Sequence, residues 1–497
     1  MYREVSQQGK CDRLLRITGE EQLVEAAEGM IAPRHKLPAQ RGHEAGRIAD
    51  TLEIGVGGYI IFGGTAESVR RLTADLFRRA GRPLLVAADL ERGAGQQVAG
   101  LTEFPPPMAL ASLRDPAVVG WAASVTAREA RAVGINWVFA PVADLDVLAE
   151  NPIVQTRAFG ADPNEVATYV RHWVEGCQAA GALACAKHYP GHGRTAVDSH
   201  VALPVVEAPA KALRASDLVP FTVAIASGVA SIMTAHVAYP TLDSSGLPAT
   251  LSPTLLGELR STFDGLVVTD ALIMDGALVG RRESDAAVEA IQAGADLLLY
   301  PNDARRVLDA LQGALSSGAL GQDRLNESLR RYDHALVAAT APTPPVMRGP
   351  YESAEALADA LLEQGMMARR SVPALTQPLD LVVVDDDIGG PYPPGPSDYV
   401  HRALGPDRIG RYGGGSRVLL VFAEPRAWKG RSGFGPAAKE ALAHHAAGAD
   451  VIVLFGHPRL IAELPSKAPV LLAWHRQRLM QEAVARWLGG RLEGTME

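Results

Sequence analysis

Short apolar runs alternate with longer amphipathic stretches over residues 1–340. The runs GGYIIFG (57–63), LLVAAD (84–89), INWVFAPVADL (135–145), ALACAKHYP (182–190), ASIMTAHVAYP (230–240), GLVVTDAL (265–272) and ADLLLYP (295–301) predict strands. Each is nearly continuous in apolar residues, the pattern of strands covered on both faces of a parallel sheet. Between them, stretches such as 68–80, 115–134, 163–181 and 284–294 carry helical periodicity, and several stop at a glycine. Alternation of this kind over this length predicts a (β/α)8 TIM barrel across 1–338, with the weakly marked VALPVVE (201–207) as the remaining strand. A doubly wound open sheet is the competing architecture.

The stretch ATAPTPPVMRGP interrupts the pattern, and its prolines predict an extended linker over 339–350. A second series follows in 351–497: LDLVVVDDD (379–387), RVLLVFAEP (417–425), ADVIVLFGHP (449–458) and APVLLAWH (468–475), with amphipathic stretches between them. These strands are too few for a barrel, so a smaller three-layer αβα sandwich is expected. The fold class is therefore α/β in two domains.

Composition narrows the function classes. The 497 residues are 47% hydrophobic and 21% charged, an ordinary globular balance, and carry a formal net charge of -8. That sign argues against a dedicated nucleic-acid partner, which calls for a basic face. Cys11, Cys177 and Cys185 form no CxxC pair and read as free thiols of a reducing compartment. The first twenty residues show no charged-then-apolar leader, and no later run is long enough to cross a membrane. A cytoplasmic location without membrane attachment is the expectation, with monomer and homodimer both open.

Several predicted strands finish in a polar residue: Asp89, Asp144, Lys187-His188, His236 and Asp270. In a barrel the C-terminal strand ends surround the active site. The densest polar cluster is AKHYPGHGRTAVDSH (186–200), holding Lys187, His188, His192, Arg194, Asp198 and His200. One reading is acid/base work, with His200 the proton carrier and Asp198 fixing its tautomer. The other is a metal site built from His188, His192 and His200, with Asp198 or His236 added. Asp270 closes a run of Val and Thr on a rigid strand, a place that suits a nucleophile.

KHYPGHG followed by DSH, and then VVTDAL, resembles glycoside hydrolase family 3, in particular its bacterial β-N-acetylhexosaminidase branch. GGYIIFGG, AADLERG with FPPPMAL, INWVFAPVADL, NPIVQTRAFGADP and SIMTAHVAYP are similar to the family's barrel signatures in the same order. The resemblance implies Asp270 as nucleophile and His200 with Asp198 as the acid/base dyad. It implies substrate contacts from Asp89, Arg157, Lys187 and His188, and neither metal nor organic cofactor. The chain departs from the pattern at DLERGAGQQ, where a Gly-Gly turn is usual, and at Arg194, where an acidic residue is common.

The activity so implied is retaining, exo-acting cleavage of terminal β-GlcNAc from cell-wall-derived glycosides by double displacement. A β-glucosidase or dual-specificity β-glycosidase, a phosphate-dependent phosphorylase acting on β-GlcNAc or β-glucosides, and a non-catalytic sugar-binding protein on the same scaffold are the alternatives.

Overall fold

A computed structural model describes residues 15–20 (backbone), 48–199, 201–342, 349–364, 374–389, 394–410, 415–426 and 429–492. The chain divides into two compact units. One comprises Met1–Thr102, Val119–Leu145 and Asp162–Arg348; the other comprises Glu103–Val118, Asp146–Ala161 and Gly349–Glu497. Half of the proline-rich segment, 343–348, lies outside the described residues.

The first unit is a closed barrel of parallel strands in sequence order: β1 (Leu15–Glu20), β2 (Gly58–Ile61), β3 (Leu85–Ala88), β4 (Trp137–Val138), β5 (Leu183–Tyr189), β6 (Ser231–Thr234), β7 (Leu266–Ala271) and β8 (Leu297–Leu299). Seven of these lie inside the runs marked in the sequence. The remaining strand is corrected by the structure. At VALPVVE only an isolated bridge forms, from Val205 to Ala238, and the strand that closes the barrel is β1, paired with β2 and β8. Pro204 lacks an N–H, which weakens VALPVVE as a strand between two neighbours. LRITGE mixes polar and apolar positions, so no apolar run announces it.

Side chains two apart share a face of a strand. Leu85 and Ala87, Leu183 and Cys185, Leu266 and Val268, and Leu297 and Leu299 form one buried cluster with Trp137, Phe139 and Met233. Tyr332, Ala335 and Ala339 of the helix Gln322–Thr340 join it, and the Tyr332 hydroxyl donates to Gly57 O at 2.6 Å, just before β2 begins. That helix therefore seals the N-terminal end, leaving chemistry to the C-terminal rim. The helix Ala66–Ala80 stops at Gly81 in the left-handed region (φ 61°), as its sequence predicts. Asp162 caps Pro163–Ala179 by accepting from the N–H groups of Asn164 and Glu165, both at 2.9 Å.

The second unit holds a parallel four-stranded sheet in the order β12 (Val470–Leu472), β11 (Val451–Gly456), β10 (Arg417–Ala423), β9 (Asp380–Asp385). The central strands β10 and β11 are almost wholly buried, whereas β9 at one edge is largely half-exposed. No described helix is long and apolar enough to cross a membrane.

Candidate active site

Lys187 has the same parity along β5 as Leu183 and Cys185, and Asp270 the same parity along β7 as Leu266 and Val268. Each is the next inward position after the apolar layer, so the alternation that fills the barrel also presents a cation and a carboxylate above it. Lys187 is 2% exposed; its Nζ lies 2.6 Å from Asp89 Oδ1 and 2.8 Å from Glu91 Oε1. Asp89 follows β3 and keeps about a third of its side chain accessible (33%), whereas Glu91 is buried. Lys187 thus holds one open carboxylate in place while neutralising a closed one.

The Lys187–His188 peptide is cis. His188 Nδ1 lies 2.7 Å from Asp144 Oδ2, while Asp144 Oδ1 accepts the backbone N–H groups of His188 at 3.2 Å and His192 at 2.6 Å. Asp144 is fully buried. Burial alone would raise its pKa, yet the His188 imidazole, helped by the His192 contacts, holds it below the ordinary carboxylate value. Asp144 therefore accepts from Nδ1 and leaves Nε2 as the remaining polar atom of the His188 ring.

His192 uses both ring nitrogens locally, with Nδ1 2.7 Å from Thr195 Oγ1 and Nε2 3.0 Å from Ser199 Oγ. His236 does the same, its Nδ1 2.8 Å from Thr250 Oγ1 and its Nε2 donating to Ala271 O at 3.0 Å. Neither ring keeps a lone pair for a metal. Among the described residues no three His, Cys, Asp or Glu side chains are placed to share one. The two histidines instead brace the site. His236 holds the end of the strand bearing Asp270, and His192 holds the turn bearing Asp198.

Burial, reinforced by His188, lowers the His192 pKa from 6.5 to about 4. An unfolded chain takes up a proton on this imidazole as pH falls through 6.5, and the folded chain does not until about 4. Stability is therefore expected to fall across that window, by roughly 3 kcal/mol from this residue. His192→Asn should flatten the pH dependence of the urea midpoint between pH 7 and pH 5; an unchanged slope would contradict it.

Asp198 is buried, and its carbonyl accepts the N–H groups of Val201 at 3.1 Å and Ala202 at 3.2 Å. His200 lies outside the described residues. The Ser199 turn is tied to the loop that follows β7: Gly276 N–H donates to Ser199 O at 3.0 Å. A Cβ on Gly276 would come within 2.7 Å of that same oxygen, so the two loops meet only because this position has no side chain. Gly193 has the same reason, its Cβ position being 1.9 Å from Leu145 O.

Asp270, half-buried, accepts the Ala271 N–H at 2.7 Å. Its charge is felt by the His192 imidazole and by the Cys185 thiol, which burial pushes up to about 12. Asp89 and Lys187 act on the same thiol. The structure thus gathers Asp89, Lys187, His188 and Asp270 around one end of the barrel. Arg157 belongs to the second unit, in the 3-10 turn Gln155–Arg157. Arg194 donates to both oxygens of the buried Asp217, at 2.9 and 3.1 Å, so its charge is already matched.

Glu91 and Asp144 join the site without a motif to mark them. Asp144 is one of the strand-ending polar residues, and a carboxylate turned inward to orient a histidine looks in sequence like any strand terminus. Glu91 follows Asp89 by two residues in a loop, with nothing to mark it as the second partner of Lys187.

A parallel barrel whose C-terminal rim carries carboxylates, an ammonium and an oriented imidazole defines a barrel enzyme acting on a polar substrate. Residues 43–334 match the family model "Glycosyl hydrolase family 3 N terminal domain". The chain belongs to that family and is a glycoside hydrolase, an enzyme of carbohydrate substrates. It is 36% identical over 293 residues to a beta-N-acetylglucosaminidase/beta-glucosidase of Cellulomonas fimi, an alignment covering 56% of this chain and 52%, about half, of that relative. It is 36% identical over 277 residues to a beta-hexosaminidase of Methylococcus capsulatus, covering 52% of this chain and 81% of the relative. The solved structure of a glycoside hydrolase family 3 beta-N-acetylglucosaminidase from Paenibacillus sp. str. FPU-7 superimposes with a TM-score of 0.81 at 26% identity, covering 98% of this chain and 97% of that one.

Proposed function

We propose that the protein is a retaining exo-β-N-acetylglucosaminidase. The observation that carries this reading is the place of Asp270, inward and half-buried at the end of β7, at the barrel end that also holds Asp89, Lys187 and His188. The names of the Cellulomonas, Methylococcus and Paenibacillus relatives support the choice of sugar.

In the proposed reaction an Asp270 oxygen attacks the anomeric carbon as the bond to the leaving oxygen breaks. His200, protonated and oriented by Asp198, gives that oxygen its proton. Water then attacks the glycosyl–Asp270 ester, losing a proton to His200 and restoring the carboxylate. The roles of His200 and Asp198 rest on the DSH resemblance. Asp89, held by Lys187, accepts sugar hydroxyls; His188 offers its Nε2; Arg157 adds a charged donor. Cell-wall-derived glycosides in the cytoplasm are the proposed substrates.

A dual-specificity β-glycosidase is the second reading, favoured by the double name of the Cellulomonas relative. Phosphorolysis gains no support from Arg194, whose charge is matched by Asp217.

The reading is tested by a panel of aryl β-GlcNAc and β-glucosides with leaving groups of graded basicity, with and without millimolar phosphate. We expect turnover on GlcNAc glycosides and no acceleration by phosphate. We also expect His200→Ala to lose about 10²–10⁴-fold on poor leaving groups and far less on 4-nitrophenol, which leaves without protonation. A uniform loss across the panel would remove His200 from acid catalysis, and sugar 1-phosphate as product would reassign the enzyme.

A further inference from the structure

The strand ends of β11 and β12 carry the same device. In GHPRL, His457 Nδ1 accepts the N–H of Arg459 at 3.0 Å; in AWHRQ, His475 Nδ1 accepts the N–H of Gln477 at 3.1 Å. Each bond fixes the proton on Nε2 and aims it at a carboxylate: Asp146 Oδ2 at 3.0 Å for His457, and Glu424 Oε1 at 2.9 Å for His475. The side chain two residues after each histidine then reaches a segment that lies more than 300 positions earlier in the chain. Arg459 Nη2 donates to Asp146 O at 2.9 Å and also pairs with the Asp146 carboxylate. Gln477 Nε2 donates to Phe104 O at 2.9 Å. His457, Asp146 and Gln477 are all buried.

These two segments are the ones the second unit takes from early in the chain, Glu103–Val118 and Asp146–Ala161. The latter carries Arg157. Its stem is closed by Asp146 N–H donating to Gly160 O at 2.8 Å. Inside it, buried Asn151 accepts the N–H groups of Ile153 at 2.9 Å and Val154 at 2.7 Å, and Gln155 Nε2 returns to Asn151 O at 2.9 Å. Val154, Gln155, Thr156 and Phe159 are buried around Arg157. The helix Pro107–Ser112 of the other segment packs on the 155–157 turn. The result is a stiff loop mounted at one acid, Asp146, by a histidine and an arginine of the sandwich.

We infer that the second unit serves the reaction as the mount of the Arg157 loop, with His457 and Arg459 as positioning residues that act through Arg157. The inference rests on the proposed sugar contact of Arg157.

The test uses the full chain and two readouts. First, hydrogen exchange of His457→Ala is expected to accelerate in peptides covering 146–161 while β9–β12 stay protected; unchanged protection of 146–161 overturns the mount. Arg459→Ala is the second variant, should His457→Ala fail to fold. Second, a double-mutant cycle joins His457→Ala with Arg157→Ala on 4-nitrophenyl β-GlcNAc. Arg157→Ala should raise KM by about 10–100-fold, the loss of a charged hydrogen bond, with a smaller change in kcat. His457→Ala should raise KM by about 3–10-fold alone and add less than about 2-fold to Arg157→Ala. His457→Asn, which keeps the acceptor for Arg459 N–H but lacks the reach of Nε2 to Asp146, should recover part of the loss. Multiplying effects would overturn the inference. An Arg157→Ala enzyme of unchanged KM would overturn the sugar contact itself, leaving the exchange result to judge the mount.

Discussion

Asp270→Ala is expected to lower kcat/KM on 4-nitrophenyl β-GlcNAc by about 10⁴–10⁶-fold while leaving the fold and the urea midpoint almost unchanged. The size follows from the role. Without the carboxylate no glycosyl-enzyme forms, and what remains is the positioning of sugar and water by the other rim groups. The small structural cost follows from the surroundings: Asp270 is half-buried at the strand end and accepts the adjacent Ala271 N–H. The strand end is independently held by His236 donating to Ala271 O at 3.0 Å. Steady-state kinetics beside a denaturation curve checks both halves; a loss of less than about tenfold would take the nucleophile's role from Asp270.

Lys187→Met should act in the opposite sense, through stability first. Methionine retains most of the stem but removes the ammonium that lies 2.6 Å from Asp89 and 2.8 Å from Glu91. Glu91 is then a buried carboxylate beside a like charge, and breaking a buried pair from one side costs about 3 kcal/mol or more. Urea melts of the wild type and the variant at pH 7 read this directly. A deficit under about 1 kcal/mol would contradict the buried triad. Sugar affinity should fall as well, because Asp89 loses the group that holds it.

Much of this architecture is legible in the sequence for a simple reason. Strands buried on both faces need continuous apolar runs, and β2, β3 and β5–β8 have them. The site is legible where chemistry interrupts such a run at its C-terminal end, as at Lys187 in ALACAKHYP and Asp270 in GLVVTDAL. Other features leave no such trace. LRITGE becomes β1 because two neighbouring strands, β2 and β8, are there to pair with it, which is a property of closure and not of the hexapeptide. The allotment of 103–118 and 146–161 to the second unit depends on Gln477 reaching Phe104 and on His457 and Arg459 reaching Asp146, across more than 300 positions. No local pattern encodes a contact of that span. Asp144 and His192 were hidden differently: both sit in segments rich in plausible catalytic groups, and only the direction of their hydrogen bonds shows that they orient and brace.

In the proposed mechanism the carboxylate at the end of β7 becomes covalently bonded to the sugar during turnover. The direct measurement is mass spectrometry of the enzyme incubated with a 5-fluoro β-GlcNAc fluoride, whose electron-poor ring slows release of the intermediate. One added sugar per chain is expected, located by peptide mapping on Asp270 and absent from Asp270→Ala. A sugar found on another carboxylate, or turnover of the probe with no adduct at any time, would contradict it.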